Sequence, residues 1–132
     1  MDTRADQSDE APDIGLARIP KAFGYASEGL ASAWQREAAF RQEAIAAIVL
    51  IPVAALLPLP IGHRLALACS VLVVMIVELL NSSVESAIDR ISPDRHELSK
   101  RAKDSASAAV LVAIAMATMV WIALVGAWLL AR

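Results

Sequence analysis

Residues 65–80 read LALACSVLVVMIVELL, and residues 81–90 continue as NSSVESAIDR. Glu78 is the single charge in the first sixteen positions, and the polar residues beyond it keep helical spacing, so one helix is expected to run to about Arg90. At about 100° per residue, Glu78, Asn81, Ser82, Glu85 and Asp89 fall within roughly ±60° of one direction. An apolar run that ends in a one-sided polar stripe predicts a helix that spans a membrane and carries chemistry where it leaves. An ionisable residue inside a span costs on the order of 2.5–3.5 kcal/mol on insertion scales. Glu78 therefore requires either a proton on its carboxyl or a cation to hold it.

Two further runs flank this one. Ala44–Ile61 is uncharged over 18 residues, about 27 Å as a helix, close to the roughly 30 Å of a hydrocarbon core. Pro52, Pro58 and Pro60 predict a kink and then an early end. Ala106–Ala131 is 26 residues without a charge, long enough to span with tilt. Before them, Ile19, Phe23, Leu30 and Trp34 recur near helical spacing among Arg18, Lys21 and Glu28. That segment, Ile14–Trp34, is too polar to span and is expected to lie along the membrane surface, although Gly24 and Gly29 weaken it as a helix. Met1–Asp13 holds five acids and almost no large apolar side chains, which predicts a disordered acidic tail over 1–13 ahead of a single integral-membrane domain over 14–132. It lacks the basic start and apolar core of a signal peptide, so no cleaved segment is expected. The expected fold is an all-α membrane protein, with an N-terminal amphipathic surface helix and three transmembrane helices.

Composition agrees. The 132 residues are 58% hydrophobic and 20% charged, against about 45–50% and 25% in soluble domains. A formal charge of −2 gives no global field that would recruit nucleic acid. The single Cys69, set in an apolar run, is expected to be a small core residue. Five basic residues (Arg4, Arg18, Lys21, Arg36, Arg41) precede the first span and five (Arg90, Arg95, Lys100, Arg101, Lys103) lie between the second and third. The positive-inside rule then places the N-terminus in the cytoplasm and the turn around Gly62 and His63 outside.

Chemistry concentrates on the cytoplasmic side of this arrangement. Trp34, Glu37 and Arg41 share a face before the first span, and Glu97, Lys100, Arg101 and Asp104 share one at the start of the third helix. A collar of salt bridges at headgroup level accounts for many such basic residues, but not for Glu78 and Asn81, which lie deeper in the apolar run. Glu37 and Glu85 offer hard carboxylate oxygens without nearby His or Cys, a pair suited to Mg²⁺ shared with substrate phosphates rather than to zinc. Lys103, Asp104 and Arg18 suit a polyphosphate and its metal, yet the sequence has neither GxxxxGK[ST] nor GxGxxG. Spacing alone leaves two classes open: an intramembrane acid–base enzyme, or an ion or proton pathway in which Glu78 is a relay.

The stretches Glu37–Glu43 (EAAFRQE), Val77–Arg90 (VELLNSSVESAIDR) and His96–Asp104 (HELSKRAKD) closely resemble the prokaryotic diacylglycerol kinase family, over about Ile19–Trp121. The resemblance implies a small homotrimeric kinase of the bacterial cytoplasmic (inner) membrane, with sites shared between protomers. It implies transfer of the ATP γ-phosphate to diacylglycerol, with Mg²⁺ as cofactor, giving phosphatidic acid. By the same resemblance Glu78 matches the general base, Asn81 a polar residue beside it, and Glu37 and Glu85 the metal-binding carboxylates. Arg18, Tyr25, Asp94, Arg95, His96, Lys103 and Asp104 match nucleotide contacts. Trp34, Arg41, Gln42, Glu43 and Ser107 fall near the lipid site, which Arg18 and Glu78 also reach. The chain departs from the family at Ala26, Ser27 and Glu28, where an aromatic and a basic residue are common, and at Lys100, which replaces a common Gly. An undecaprenol kinase of the same family is the neighbouring alternative.

Overall fold

A computed structural model of the chain describes residues 18–132. The acidic tail expected over 1–13, and residues 14–17 of the expected surface segment, lie outside the described residues. The described residues form four helices: α1 (Arg18–Arg36), α2 (Ala38–Leu56), α3 (Ile61–Ile91) and α4 (Glu97–Leu130). They fall into two compact units that meet after Ser32.

The first unit holds most of α1, which runs unbroken through Gly24 and Gly29. Two glycines at about 1 kcal/mol each were expected to weaken this helix. The Ser27 hydroxyl donates to the Phe23 carbonyl at 2.9 Å, one turn back. Ile19, Phe23, Tyr25 and Leu30 are all exposed on it.

The second unit begins with the last turn of α1 and contains the three long helices, each long and apolar enough to cross a membrane. Both α2 and α4 pack on α3. The buried side chains are mostly small or branched: Ala44, Ala47 and Ala54 on α2, Leu67, Val71 and Val74 on α3, Ala113 on α4. Much of the remaining apolar surface is exposed, including Ile48, Val49, Leu72, Ile76, Leu111 and Ile122. In water that surface would drive aggregation, whereas in hydrocarbon it is solvated.

The helix ends differ from the expected ones for backbone reasons. α2 begins at Ala38, six residues before the uncharged run, because helical hydrogen bonding includes Arg41 and Glu43 as readily as apolar residues. It continues through Pro52 and stops at Leu56, the early end that the prolines predicted. Leu57 turns extended, and Pro60 caps α3 with φ −50°. The amides of His63 and Arg64 then donate to the Pro60 carbonyl at 3.0 and 3.2 Å. Gly62 and His63 thus lie in the first turn of α3, and the connection is Leu57–Pro60. Arg64 Nη1 reaches back to the Ala55 carbonyl at 3.0 Å, satisfying an orphaned acceptor at the end of α2. Cys69 is exposed on α3 rather than in the core.

α3 outruns the bilayer, and its excess carries the polar stripe. Its 31 residues extend about 46 Å, against about 30 Å of hydrocarbon. A span beginning at Ile61 is therefore complete near Leu80. Asn81 onward occupies the interfacial level, and Glu78 lies one turn inside it.

Candidate active site

α1 and α2 are separated by one residue, Glu37, whose backbone is extended at φ −106°, ψ 110°. Its amide closes the last turn of α1 on the Ala33 carbonyl at 2.9 Å. Its carbonyl accepts from the Arg41 amide at 3.2 Å to open α2. The Glu37 carboxylate makes no capping hydrogen bond, so it is free to face the site. The junction is anchored by Ala33, Phe40 and Ala44, which pack with Met75 and Leu79 of α3. Phe40, 4% exposed, fixes the start of α2 at the level of α3 where Glu78 lies.

Glu78 is 4% exposed and, among the described residues, is the one buried charged side chain. Glu37, Glu43 and Glu85 are each near enough for their charges to act on it. Three elements therefore bring carboxylates within electrostatic reach of Glu78: the α1–α2 junction, α2 and α3. Glu43 Oε2, Asn81 Oδ1 and Ser82 Oγ are fully buried with no hydrogen-bond partner within the described residues. Unmet polar atoms each cost about 1–3 kcal/mol when buried, so a cluster of three beside a buried acid marks a place built for a ligand.

Two recesses lie on either side of this cluster. One is a groove of about 510 Å³ between α2, α3 and α4, with Gln42 and Glu43 at its polar end and Leu50, Val71, Val74, Ile114 and Ile122 along its walls. The other is a cavity of about 570 Å³ at the α3–α4 connection, where Asp94, Arg95, His96, Lys103 and Asp104 come together. On α3 the groove is lined by Val71 and Val74 and the cavity by Ile88 and Asp89, so Glu78, Asn81, Ser82 and Glu85 occupy the stretch between them.

Several charged side chains are held by neighbours. Lys103 bonds Asp89 across α3 and α4 at 2.5 Å, and Lys100 bonds Asp104 one turn away at 2.5 Å. His96 caps α4, its Nδ1 accepting from the Leu98 amide at 3.2 Å, and Ser92 Oγ accepts from the Asp94 amide at 3.0 Å. Arg41 Nη1 donates to the Trp34 and Gln35 carbonyls at 3.0 and 3.3 Å, a cation placed on the C-terminus of α1. Trp34 is 44% exposed, and Ser107 is exposed on α4. Arg18 and Tyr25 belong to the first unit, both exposed on α1. Sequence reasoning gave no role to Ser82, Asp89, Thr118 or Trp121. Ser82 and Asp89 were visible on the polar stripe, whereas Thr118 and Trp121 read as ordinary span residues.

Glu37 and Glu85 fit a Mg²⁺ ion on their donor chemistry. Both are partly buried oxygen donors from different elements, flanking a buried acid. Among the described residues no three His, Cys, Asp or Glu side chains form a protein-only metal cage. Magnesium bound through one or two carboxylates with phosphate and water oxygens has no need of one.

These features define a class: a small polytopic α-helical membrane protein with a carboxylate-rich site at the interface, between an apolar groove and a charged cavity. Comparison with known proteins narrows it. The family model for prokaryotic diacylglycerol kinase matches residues 24–125. The diacylglycerol kinase of Escherichia coli (strain K12) is 50% identical over 107 residues, covering 81% of this chain and 88% of that protein. The Pseudomonas aeruginosa diacylglycerol kinase is 49% identical over the same length, and one from Helicobacter pylori (strain ATCC 700392 / 26695) is 39% identical. The chain belongs to the prokaryotic diacylglycerol kinase family.

Proposed function

We propose that this chain phosphorylates diacylglycerol with ATP at the surface of a bacterial cytoplasmic membrane, giving phosphatidic acid and ADP. The observation that carries the reading is the buried Glu78, set on α3 between a groove suited to hydrocarbon and a cavity suited to a charged nucleotide. A lipid alcohol and a polyphosphate have opposite solvation needs, and only a site at the interface meets both.

In the reaction, the lipid hydroxyl gives its proton to the Glu78 carboxylate while its oxygen bonds to the γ-phosphorus. The bond from that phosphorus to the β,γ-bridging oxygen breaks, and ADP leaves with the electron pair. Glu37 and Glu85 hold Mg²⁺, which when bound neutralises phosphate charge. Asn81 stands one turn from Glu78 and orients the groups beside it. Lys103, Asp104, Asp94, Arg95 and His96 bind the nucleotide from the cavity, and the family resemblance adds Arg18 and Tyr25 as nucleotide contacts. Gln42, Glu43, Ser107, Trp34 and Arg41 border the glycerol.

On the same reading, α1 lies along the membrane surface. Its residues Ile19, Phe23, Leu30 and Trp34 share one face, with Arg18, Lys21 and Glu28 away from it. The basic residues on either side of the first two spans put the N-terminus in the cytoplasm, where ATP is. The working form is a homotrimer. Cysteine labelling from outside intact cells should reach position 63 and not position 95.

Purified protein in mixed micelles should consume ATP only when a lipid alcohol is added, and should prefer diacylglycerol to undecaprenol in kcat/KM. A higher kcat/KM for undecaprenol would transfer the site to polyprenol chemistry. No lipid-dependent turnover, together with ion flux in vesicles that Glu78→Gln abolishes, would make it an ion pathway.

A further inference from the structure

Serine and threonine hydroxyls inside helices usually return to the backbone one turn earlier, and this chain shows the habit repeatedly. Ser27 donates to the Phe23 carbonyl, Ser83 to Leu79, and Thr118 to Ile114, at 2.8–2.9 Å, while Ser70 donates to Leu67 at 2.7 Å. Ser82 does not. Its Oγ is fully buried and unpartnered, although the adjacent Ser83 makes the ordinary bond. Buried hydroxyls without partners are uncommon because the desolvation cost is unreturned until something arrives to accept the bond.

The position of Ser82 says what arrives. Along α3, Ser82 lies about 6 Å beyond Glu78 and about 4.5 Å before Glu85, near the midpoint of the line from one to the other. If the acceptor hydroxyl meets Glu78 and the metal-bound phosphates meet Glu85, the group in transit passes the level of Ser82 and Asn81. That group is an anion, and the side chains around it are mainly acids: Glu37, Glu43, Glu78 and Glu85. Carboxylate oxygens are chiefly acceptors, and such an anion is better served by hydroxyl and amide donors. Arg41 is bonded to the carbonyls of Trp34 and Gln35 and Lys103 to Asp89, nearer the cavity. The short neutral side chains of α3, buried and unpartnered between Glu78 and Glu85, are placed to face the phosphoryl oxygens.

Resting on the proposed kinase reaction, we infer that Ser82 is a catalytic residue whose hydroxyl donates a hydrogen bond to a non-bridging oxygen of the phosphoryl group during transfer. The Asn81 amide flanks it on the other side of the Glu78–Glu85 line. The bond strengthens as charge spreads over those oxygens, so it acts on kcat rather than on ground-state binding of either substrate.

The test is steady-state kinetics of Ser82→Ala, Ser82→Thr and Glu78→Gln in mixed micelles, with ATP and diacylglycerol each varied. Removing one preorganised donor to a developing oxyanion typically costs about 10²–10³ in kcat. Ser82→Ala should fall in kcat by about 10², with both KM values within about threefold of the parent, and Ser82→Thr should recover most of the loss because it restores the hydroxyl. A structural hydroxyl would change thermal stability and leave kcat near normal, which would overturn the inference. A loss confined to the diacylglycerol KM would also overturn it, placing the hydroxyl on the lipid. Glu78→Gln separates the two levels of argument. If it is inactive while Ser82→Ala is normal, only the role of Ser82 fails; if it keeps near-normal turnover, the reading of the whole site fails.

Discussion

The groove between α2, α3 and α4 and the cavity at the α3–α4 connection are close in volume, about 510 and 570 Å³, and opposite in lining. The groove walls are aliphatic apart from Gln42, Glu43, Thr118 and Trp121. The cavity is bordered by Asp89, Asp94, Arg95, Glu97, Lys100, Lys103 and Asp104. They share α3 and α4, and on α3 the apolar half forms one wall of the groove while the polar end forms one wall of the cavity. The difference teaches where the chemistry belongs. Neither recess contains Glu78, Asn81 or Glu85, and these residues fill the helix between them. On α3, a groove that welcomes chains and a cavity that welcomes ions meet across that stretch.

The sharpest way to break the comparison is at its middle. Glu78→Gln should fold, assemble and still bind Mg·ATP, while turnover falls by about 10²–10⁴, the usual cost of losing a positioned base. Nucleotide titration of the purified variant separates binding from turnover, and simultaneous loss of both would recast Glu78 as part of the metal site. Moving toward the cavity, Glu85→Gln should raise the Mg²⁺ concentration needed for half-maximal rate by about tenfold or more, since one of two carboxylate ligands is gone. An unchanged Mg²⁺ dependence would remove Glu85 from the metal. Within the cavity, Lys103→Ala should raise the KM for ATP several-fold and leave that for diacylglycerol unaltered. A change in the lipid KM would show that the two recesses are not functionally separate. The smallest effect is expected at Arg41, beside the groove. Arg41→Lys loses the paired bonds to the Trp34 and Gln35 carbonyls, and should lower stability by roughly 0.5–1.5 kcal/mol, measured by thermal unfolding in detergent, with little change in kcat. A large fall in kcat at unchanged stability would instead make Arg41 part of the reacting machinery rather than a border of the glycerol.

The spans were legible because bilayer thickness imposes length and apolarity on a continuous segment, a constraint written into neighbouring residues. The stripe on α3 was legible for a similar reason, since helical periodicity is local. Helix ends were less so. His63 reads as a turn residue beside Gly62, yet Pro60 presets the backbone and starts α3 three residues earlier. The site was legible in parts and not in assembly. Nothing in the spacing of Glu43 places it beside Glu78, because that depends on how α2 packs on α3 after the Leu57–Pro60 connection. Nor does spacing reveal that Arg41 turns back to α1, or that Lys103 finds Asp89 fourteen residues away. Ser82 was on the stripe from the start, but its distinction is a hydroxyl buried without a partner, and burial of that kind exists only in three dimensions.

The Leu57–Pro60 connection also bears on how the protein is made. With only four residues between α2 and α3, and Arg64 bonded back to the Ala55 carbonyl, the two helices form a tight hairpin. Such a hairpin can leave the translocation machinery as one object, its polar main-chain groups already paired, so the chain never has to thread a long hydrophilic loop through the lipid. A longer connection at this point would add unpaired main-chain groups to the hairpin and burden its insertion before it touched the site.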